Sequence, residues 1–444
     1  MSESTRLRFA SWTPAGVPLT VAFDGGRLTT DGGLPWLAEV DPVLGLCDRL
    51  AACLPRRKRR GRHPLVQLLR QRIFQIACGY ADQNDATTLR HDPLFKLVCG
   101  RLPDSDPPLA SQATLSRLET GLDRRACERL ATALVDLYRL ERGRQAAPRQ
   151  LLLDLDGTDD PAHGKQEGVR YHGFYGQHMY HPLLVFDGDT GQLITVVLRP
   201  GNAHAKRFVR LVLRRLLRRF QAAWPGVQVE LRADSGFAAP EIYGWCEANA
   251  VHYTLGLIPN PRLEAEAAPL LAEAQAQSAA AGGAKVRLAG ETTYQASTWV
   301  RARRVVYKAE ALAKGPNTRF VVTDRTEPPL DLYDYYVDRG QCENYIKDFK
   351  NALAADRLSD HRFFANYGRL LLHAAAYCLM YTLRRWLAGT ALATAQFDTL
   401  RLRLVKLAGR VHEWFGGVRL HLASSHPSQP LWRHLAARRR TVTA

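Results

Sequence analysis

The sequence predicts an α/β protein: a mixed sheet with flanking helices in the middle of the chain, a mainly helical region before it, and a helical, basic tail after it. Three observations carry this. Between Leu34 and about Arg142, apolar residues recur at helical spacing, most regularly in His63–Cys78 and Arg124–Leu140. From Leu151 the texture changes to short apolar and β-branched runs bounded by Gly and Asp turns. Helical periodicity returns at Val337 and continues through Trp386.

Taken in order, residues 1 to about 30 read as extended and end at the turn-rich Asp24-Gly-Gly and Asp31-Gly-Gly. The run Pro55-Arg-Arg-Lys-Arg-Arg-Gly-Arg62 holds six cations and no acid; it reads as a solvated loop or one that contacts phosphate. Leu109–Glu119 opens a helix that Ser111 can cap, with Gln112, Thr114 and Arg117 facing either solvent or a DNA groove. Residues 144–149, with Pro148, form a linker. Leu151–Gly157 is then a buried strand. His178–Phe186 and Gln192–Leu198 form a hairpin around Asp187-Gly-Asp-Thr-Gly191. Ala205–Trp224 is a helix with seven cations and no acid. Val227–Asp234 is a strand ending in Ser-Gly, Pro240–Asn249 a helix and Val251–Ile258 another strand. From Asn260 to about Arg325 the order is interrupted by an Ala/Glu/Gln-rich stretch to Gly283 and β-like runs at Glu291–Glu310 and Thr318–Asp324, an insertion. The tail holds an amphipathic helix at Phe397–Val411 and ends in Arg438-Arg-Arg440. The expected segments are 1–145 (helical, DNA-binding), 146–259 (core), 260–328 (β-rich insertion), 329–387 (core, second part) and 388–444 (helical, basic, a candidate dimerisation region).

The net charge of +18 favours a polyanionic partner, nucleic acid before an anionic membrane surface. Arginine supplies most of the positive charge, and its planar fork suits phosphate. The eight cysteines are scattered, with no C-x-x-C and no zinc spacing, and read as reduced small hydrophobes. The four histidines 172, 178, 181 and 204 fit no standard zinc pattern either. The N-terminus lacks the apolar core of a signal peptide, and the longest apolar run, Leu370–Leu383, is too short to span a bilayer. The expectation is a cytosolic protein.

Two acids stand at strand ends: Asp156 before Gly157-Thr158, and Asp234 before Ser235-Gly236. If those strands are neighbours, both carboxylates project at one end of the sheet. Asp154 competes for the first position, since residues i and i+2 share a strand face. Asp156 is preferred because the following Gly-Thr marks the strand end. On the later helix, Tyr336, Arg339 and Lys350 lie at offsets of −7, −4 and +7 from Glu343. At about 100° per residue these fall within about 40° of Glu343, on one face, beside an apolar stripe of Cys342, Ile346, Phe349 and Leu353. An ordinary amphipathic helix with Arg339–Glu343 and Glu343–Lys347 pairs gives the same pattern. Asp156, Asp234 and Glu343 together would make a hard oxygen cage for Mg²⁺ or Mn²⁺. Two such ions roughly 3.5–4 Å apart are the usual apparatus for in-line attack on a phosphodiester.

Asp156-Gly-Thr, Ala-Asp234-Ser-Gly-Phe and Tyr336-x2-Arg339-x3-Glu343-x6-Lys350 resemble the signature of DDE insertion-sequence transposases with the Y-R-E-K motif. The likeness extends to Cys78–Asp85, Leu89–Pro93, His163-Gly-Lys-Gln and Arg369-Leu-Leu-Leu-His-Ala. The resemblance implies an RNase H-like core with a β-rich insertion before the glutamate, and cut-and-paste chemistry on double-stranded DNA. It implies metal ligation by Asp156, Asp234 and Glu343, phosphate binding by Arg339 and Lys350, and packing of Tyr336 near the cut. Lys347, one turn from Glu343, adds a phosphate contact on the same face. A synaptic complex implies a homodimer on DNA. Relatives flip a base onto an aromatic residue of the insertion, for which Trp299 is the candidate against a core role. Gly340 is awkward inside a helix; it marks either close DNA approach or a helix that starts only there. Two other functions share these features: a catalytically silent DNA-binding derivative, and an RNase H-like nuclease without strand transfer.

Overall fold

The computed structural model describes residues 7–9, 17, 19–55 and 62–442. The basic run at 56–61 and much of the expected extended N-terminus lie outside the described residues. The chain divides into two compact units, one of residues 1–52, 56–118 and 379–444, the other of residues 53–55 and 119–378. This differs from the expected segments, because the N-terminal and C-terminal regions share one unit.

The pairing that joins them is visible in the first unit. Strand Gly409–Trp414 pairs antiparallel with both Gly417–Leu422 and Leu28–Thr29, with Gly409 opposite Thr29. The expected helix Phe397–Val411 therefore ends early. Its helical turns stop at Val405, and the alternation of Val411, Glu413 and Val418, Leu420, Leu422 around Gly416-Gly417 makes a hairpin. Asp31, fully buried, accepts from the Tyr80 hydroxyl at 2.7 Å and pairs with Lys406 at 2.7 Å. Buried Arg72 donates to the Tyr80 and Ala81 carbonyls. Asp92 caps helix Pro93–Val98 by accepting from Leu94 and Phe95. The blocks Cys78–Asp85 and Leu89–Pro93 thus hold this unit together.

The second unit begins with α1 (Arg124–Arg142), capped by Asp123, which accepts from the Ala126 amide. Next come β1 (Gln150–Gly157), β2 (Asp160–Pro161), β3 (Arg170–His172), β4 (Gln177–Tyr180), β5 (Leu183–Asp187), β6 (Leu193–Val197) and α2 (Val209–Ala223). They are followed by β7 (Gln228–Ala233), α3 (Pro240–Ala248), β8 (Val251–Leu257) and α4 (Pro261–Ala280). The unit continues through β9 (Val286–Tyr294), β10 (Arg303–Leu312), β11 (Gly315–Thr323), α5 (Pro329–Val337) and α6 (Gln341–Lys347), and α7 (Phe363–Trp386) starts in it.

Eight strands make one sheet in the order β9-β10-β11-β8-β7-β1-β5-β6. β1 is central and buried from Leu151 to Asp156, as a strand covered on both faces must be. It runs parallel to β7 and antiparallel to β5, and β7 runs parallel to β8. The apolar face of α2, Val209, Val212, Leu213, Leu216 and Phe220, joins one core with Leu151, Leu153, Leu155 and Ala233.

Two differences from the expected elements have local causes. The strand expected at His178–Phe186 breaks at His181-Pro182, since proline has no N–H for the ladder. Its first half, β4, joins β2 and β3 in a separate small sheet. The Ala/Glu/Gln-rich stretch of the insertion is the helix α4, built of strong helix formers and capped by Asn260. The strands after it extend the main sheet, with β11 antiparallel to β8 through Leu255 opposite Val322.

Candidate active site

The register of β1 and β7 decides where the two strand-end acids stand. Leu155 lies opposite Ala233 in the parallel ladder, so Asp156 and Asp234 follow at adjoining positions. Asp156 is 8% exposed, and its Oδ1 accepts from the Gly157 amide at 2.8 Å. Asp234 is half-exposed, and its Oδ1 accepts from the Gly236 amide at 2.8 Å, closing the turn Ser235–Phe237. Between them lies Arg339, whose Nη2 stands 3.0 Å from Asp156 Oδ2 and 3.6 Å from Asp234 Oδ2. The Arg339 Nε is buried and donates to no acceptor among the described residues.

Burial pushes the Asp156 carboxyl up to about 7; Arg339 opposes this, while the Asp234 and Glu343 charges add to it. The three acids therefore feel one another. As they stand, no three His, Cys, Asp or Glu side chains among the described residues are close enough to hold a metal ion together. Glu343 is exposed on α6 and forms no ion pair with Lys347 among the described residues, and Arg339 pairs with Asp156 instead of Glu343. The donor set still fits a divalent cation. Two hard carboxylates stand side by side, one of them buried and held against its own charge, with the cationic side chain of Arg339 spanning both.

Asp154, the competitor, is fully buried and engaged elsewhere. Arg232 Nε and Nη2 donate to its two oxygens at 2.7 and 2.8 Å. Arg232 Nη1 also donates to the Tyr335 carbonyl at 2.6 Å, tying the end of α5 to the sheet. Sequence reasoning missed Arg232, although an arginine two residues before Asp234 shares its strand face.

The segment carrying Tyr336, Arg339, Glu343 and Lys350 is helical throughout but not uniform. A tight 3₁₀ turn at Asp338–Gly340 separates α5 from α6, and a wide π turn follows at Asp348–Ala352. Gly340 ends that tight turn and is the N-cap of α6, so the regular α-helix does begin there, and a β-carbon on it would meet nothing within 4 Å. Cys342, Phe349 and Leu353 are buried as the apolar stripe requires. Tyr336 packs beside Tyr333, and its hydroxyl lies where a β-carbon on Gly256 would collide with it. The ring is thus mostly inside the protein; burial raises the phenol, and the Asp234 and Asp156 charges add to that.

Lys350 pairs with Asp159 Oδ1 at 2.5 Å. Asp159 also accepts from Gln177 on β4, so it links the small sheet to the helical segment. Asp159 was not anticipated, because a third acid after the strand end carries no distinguishing spacing. Lys347 is exposed without an ion pair among the described residues. Trp299 is buried, edge-on to Tyr243 and Tyr294 and under Arg303, so its role is in the core and the flipped-base role does not fit. His172 and His181 touch edge to face at 4.9 Å, and His181 Nδ1 bonds the Ala203 carbonyl at 2.8 Å. The remaining blocks are structural as well. Gln166 donates to the Leu358 carbonyl, Arg369 pairs with buried Glu119 at 2.7 Å, and His373 bonds the Leu353 carbonyl.

A family model described as transposase DDE domain group 1 matches residues 14–443. Among solved structures, a cryo-EM structure of the piggyBac transposase synaptic complex with hairpin DNA is similar over 91% of this chain and 83% of that one. Its sequence identity is 12% and its TM-score 0.39, a likeness too distant to carry an argument about the site. No curated protein matches.

Proposed function

The chain belongs to the transposases with a group 1 DDE domain, and from that premise we propose that it binds the terminal inverted repeats of its own element, cuts the DNA strands and joins the 3′ ends to target DNA. Asp156, Asp234 and Glu343 would hold Mg²⁺ or Mn²⁺, two ions per site. The observation that carries this reading is the adjoining pair Asp156 and Asp234 at the ends of two parallel strands, both under Arg339. The order β6-β5-β1-β7-β8, with the first three antiparallel and the last two parallel, supports an RNase H-like core.

Bound divalent ions would activate the attacking water or 3′-hydroxyl and offset charge on the leaving oxygen. The protein's own residues position the strand. Arg339, with one donor unspent and a planar fork, turns from the carboxylates to a phosphate oxygen. Lys347 meets a neighbouring phosphate. Lys350 fixes Asp159 at the rim and becomes a phosphate contact when that pair opens. Tyr336 wedges α5 against β8 and keeps Arg339 over the acids. Cleavage at two ends held together calls for a homodimer on DNA.

The test is a cleavage assay on DNA carrying the coding sequence with its own flanks. Asp156→Ala, Asp234→Ala and Glu343→Ala should each lose cleavage and keep end binding. Full cleavage by any of them would overturn the site. Excised but unjoined product from the wild type would make the protein a nuclease without strand transfer, and binding without cleavage a silent derivative.

A further inference from the structure

We propose that the outer face of α2 is a docking surface for the backbone of the DNA duplex whose phosphodiester lies at Asp156 and Asp234; this rests on the reading above. The inner face of the helix is spent on the core through Val209, Val212, Leu213, Leu216 and Phe220. Arg210, Arg214 and Arg218 are exposed on the other side, at about 0°, 40° and 80° around the axis, and so form one stripe. None of the three forms an ion pair among the described residues, although Arg210 lies close enough to Glu241 for its charge to help lower that carboxylate. Two other cations of this segment, Lys206 and Arg219, show what partnering looks like. Lys206 sits 2.8 Å from Glu241, and Arg219 2.6 Å from Asp136. Elsewhere in the same unit Arg232, Arg287, Arg303, Arg325 and Arg339 each rest on a carboxylate. Placing like charges four apart on a helix weakens the helix, and only at Arg210 does an acid, Glu241, offset part of that repulsion.

Position selects the occupant. The chain enters α2 through Ala205, whose methyl would stand 3.1 Å from a β-carbon on Gly236, two residues past Asp234. The segment that leads into α2 therefore passes beside the turn after Asp234, and the stripe starts five residues further on. From Arg210 to Arg218 the helix rises about 12 Å, a length over which a duplex carries roughly seven phosphates on its two strands. An exposed row of three guanidinium groups over that distance, none of them held in an ion pair among the described residues, suits the same duplex that enters the site.

The experiment measures binding of the full-length protein to a fluorescent duplex of the coding sequence's own flank and terminal repeat, without divalent ions, across a salt series. Arg210→Gln/Arg214→Gln/Arg218→Gln should make the slope of log affinity against log salt shallower by up to about 2.7, at about 0.9 per phosphate contact. Over a fourfold rise in salt, the variant's loss of affinity should then be about 40-fold smaller than the wild type's. The triple arginine-to-lysine variant should keep most of the wild-type slope. An unchanged slope in the glutamine variant overturns the proposal, as does an equal loss in the lysine variant, which would mark a structural defect. A slope change seen only with a duplex lacking the terminal repeat also overturns it and assigns the face to target DNA. If the wild type binds with a stripe-dependent slope yet never cleaves, the functional reading fails and the docking surface stands.

Discussion

Asp154 and Asp156 lie two residues apart on one strand face, yet their removal should change stability in opposite directions. Asp154 receives both forks of Arg232 and is fully buried. Asp154→Asn leaves a buried guanidinium facing a neutral amide. Breaking a buried pair costs about 3–5 kcal/mol, and the amide's remaining acceptor puts this change near the lower end, about 3 kcal/mol. Taking both charges out of water offsets much of their attraction, so the pair as a whole stabilises little. Replacing both residues, as Asp154→Leu/Arg232→Met, should therefore recover most of the loss. Asp156 is the reverse case. Its carboxyl is pushed from 3.8 up to about 7, so the folded state resists its charge at neutral pH. At about 1.4 kcal/mol per pH unit, the charged form costs up to about 4 kcal/mol at pH 8. Asp156→Asn also leaves Arg339 with Asp234 alone, which reduces the expected gain to about 2 kcal/mol. Because the folded pKa is raised, that cost appears as pH climbs from 3.8 towards 7, and the gain should vanish near pH 4. Urea midpoints of both variants at pH 8 and pH 4 measure this. Loss of stability by Asp156→Asn at pH 8, or no loss by Asp154→Asn, would refute the assignment of one aspartate to structure and the other to the site.

Two further outcomes are expected. Burial and the Arg199 and His172 charges hold the His181 imidazole at about 4, below its ordinary 6.5, against the Ala203 carbonyl bond. That depression stabilises the fold above pH 6.5 and is lost as pH falls towards 4, by up to about 3 kcal/mol; in His181→Gln the fall in urea midpoint over that window should shrink, and an unchanged pH profile would speak against it. Gly256→Ala places a methyl against the Tyr336 hydroxyl and 2.9 Å from the Ser235 amide nitrogen. It should cost about 1–3 kcal/mol and slow cleavage, and Tyr336→Phe added to it should restore part of both; no recovery in the double variant would place the clash at Ser235.

The placement of Asp156 and Asp234 at neighbouring strand ends was legible because strands with terminal acids carry two signals at once, an apolar run and a carboxylate before Gly or Ser-Gly. β1, β7 and β8 were placed within a residue or two of their observed ends. What the sequence does not reveal depends on pairing between distant segments. Asp154 and Asp156 are indistinguishable until Arg232 is known to face the first. Lys350 meets Asp159 across 191 residues of chain, which no local spacing encodes. The Phe397–Val411 error has a different origin. Leu400 and Leu404 fit a helix, but the alternation that begins at Gly409 acquires its partner from Leu28–Thr29. Trp299 illustrates burial overriding chemistry, since the ring that suits a base is filled by Tyr243, Tyr294 and Arg303.

The proposed function requires that Asp156 and Asp234 ligate the ions that cut DNA. Asp234→Cys tests it most directly, because this half-exposed carboxylate can be exchanged for a softer thiolate that Mn²⁺ accepts better than Mg²⁺. On DNA bearing the element's own ends, the wild type should cleave with either ion, and Asp234→Cys should be inactive with Mg²⁺ and regain cleavage with Mn²⁺. Equal activity of the variant with both ions would contradict the claim.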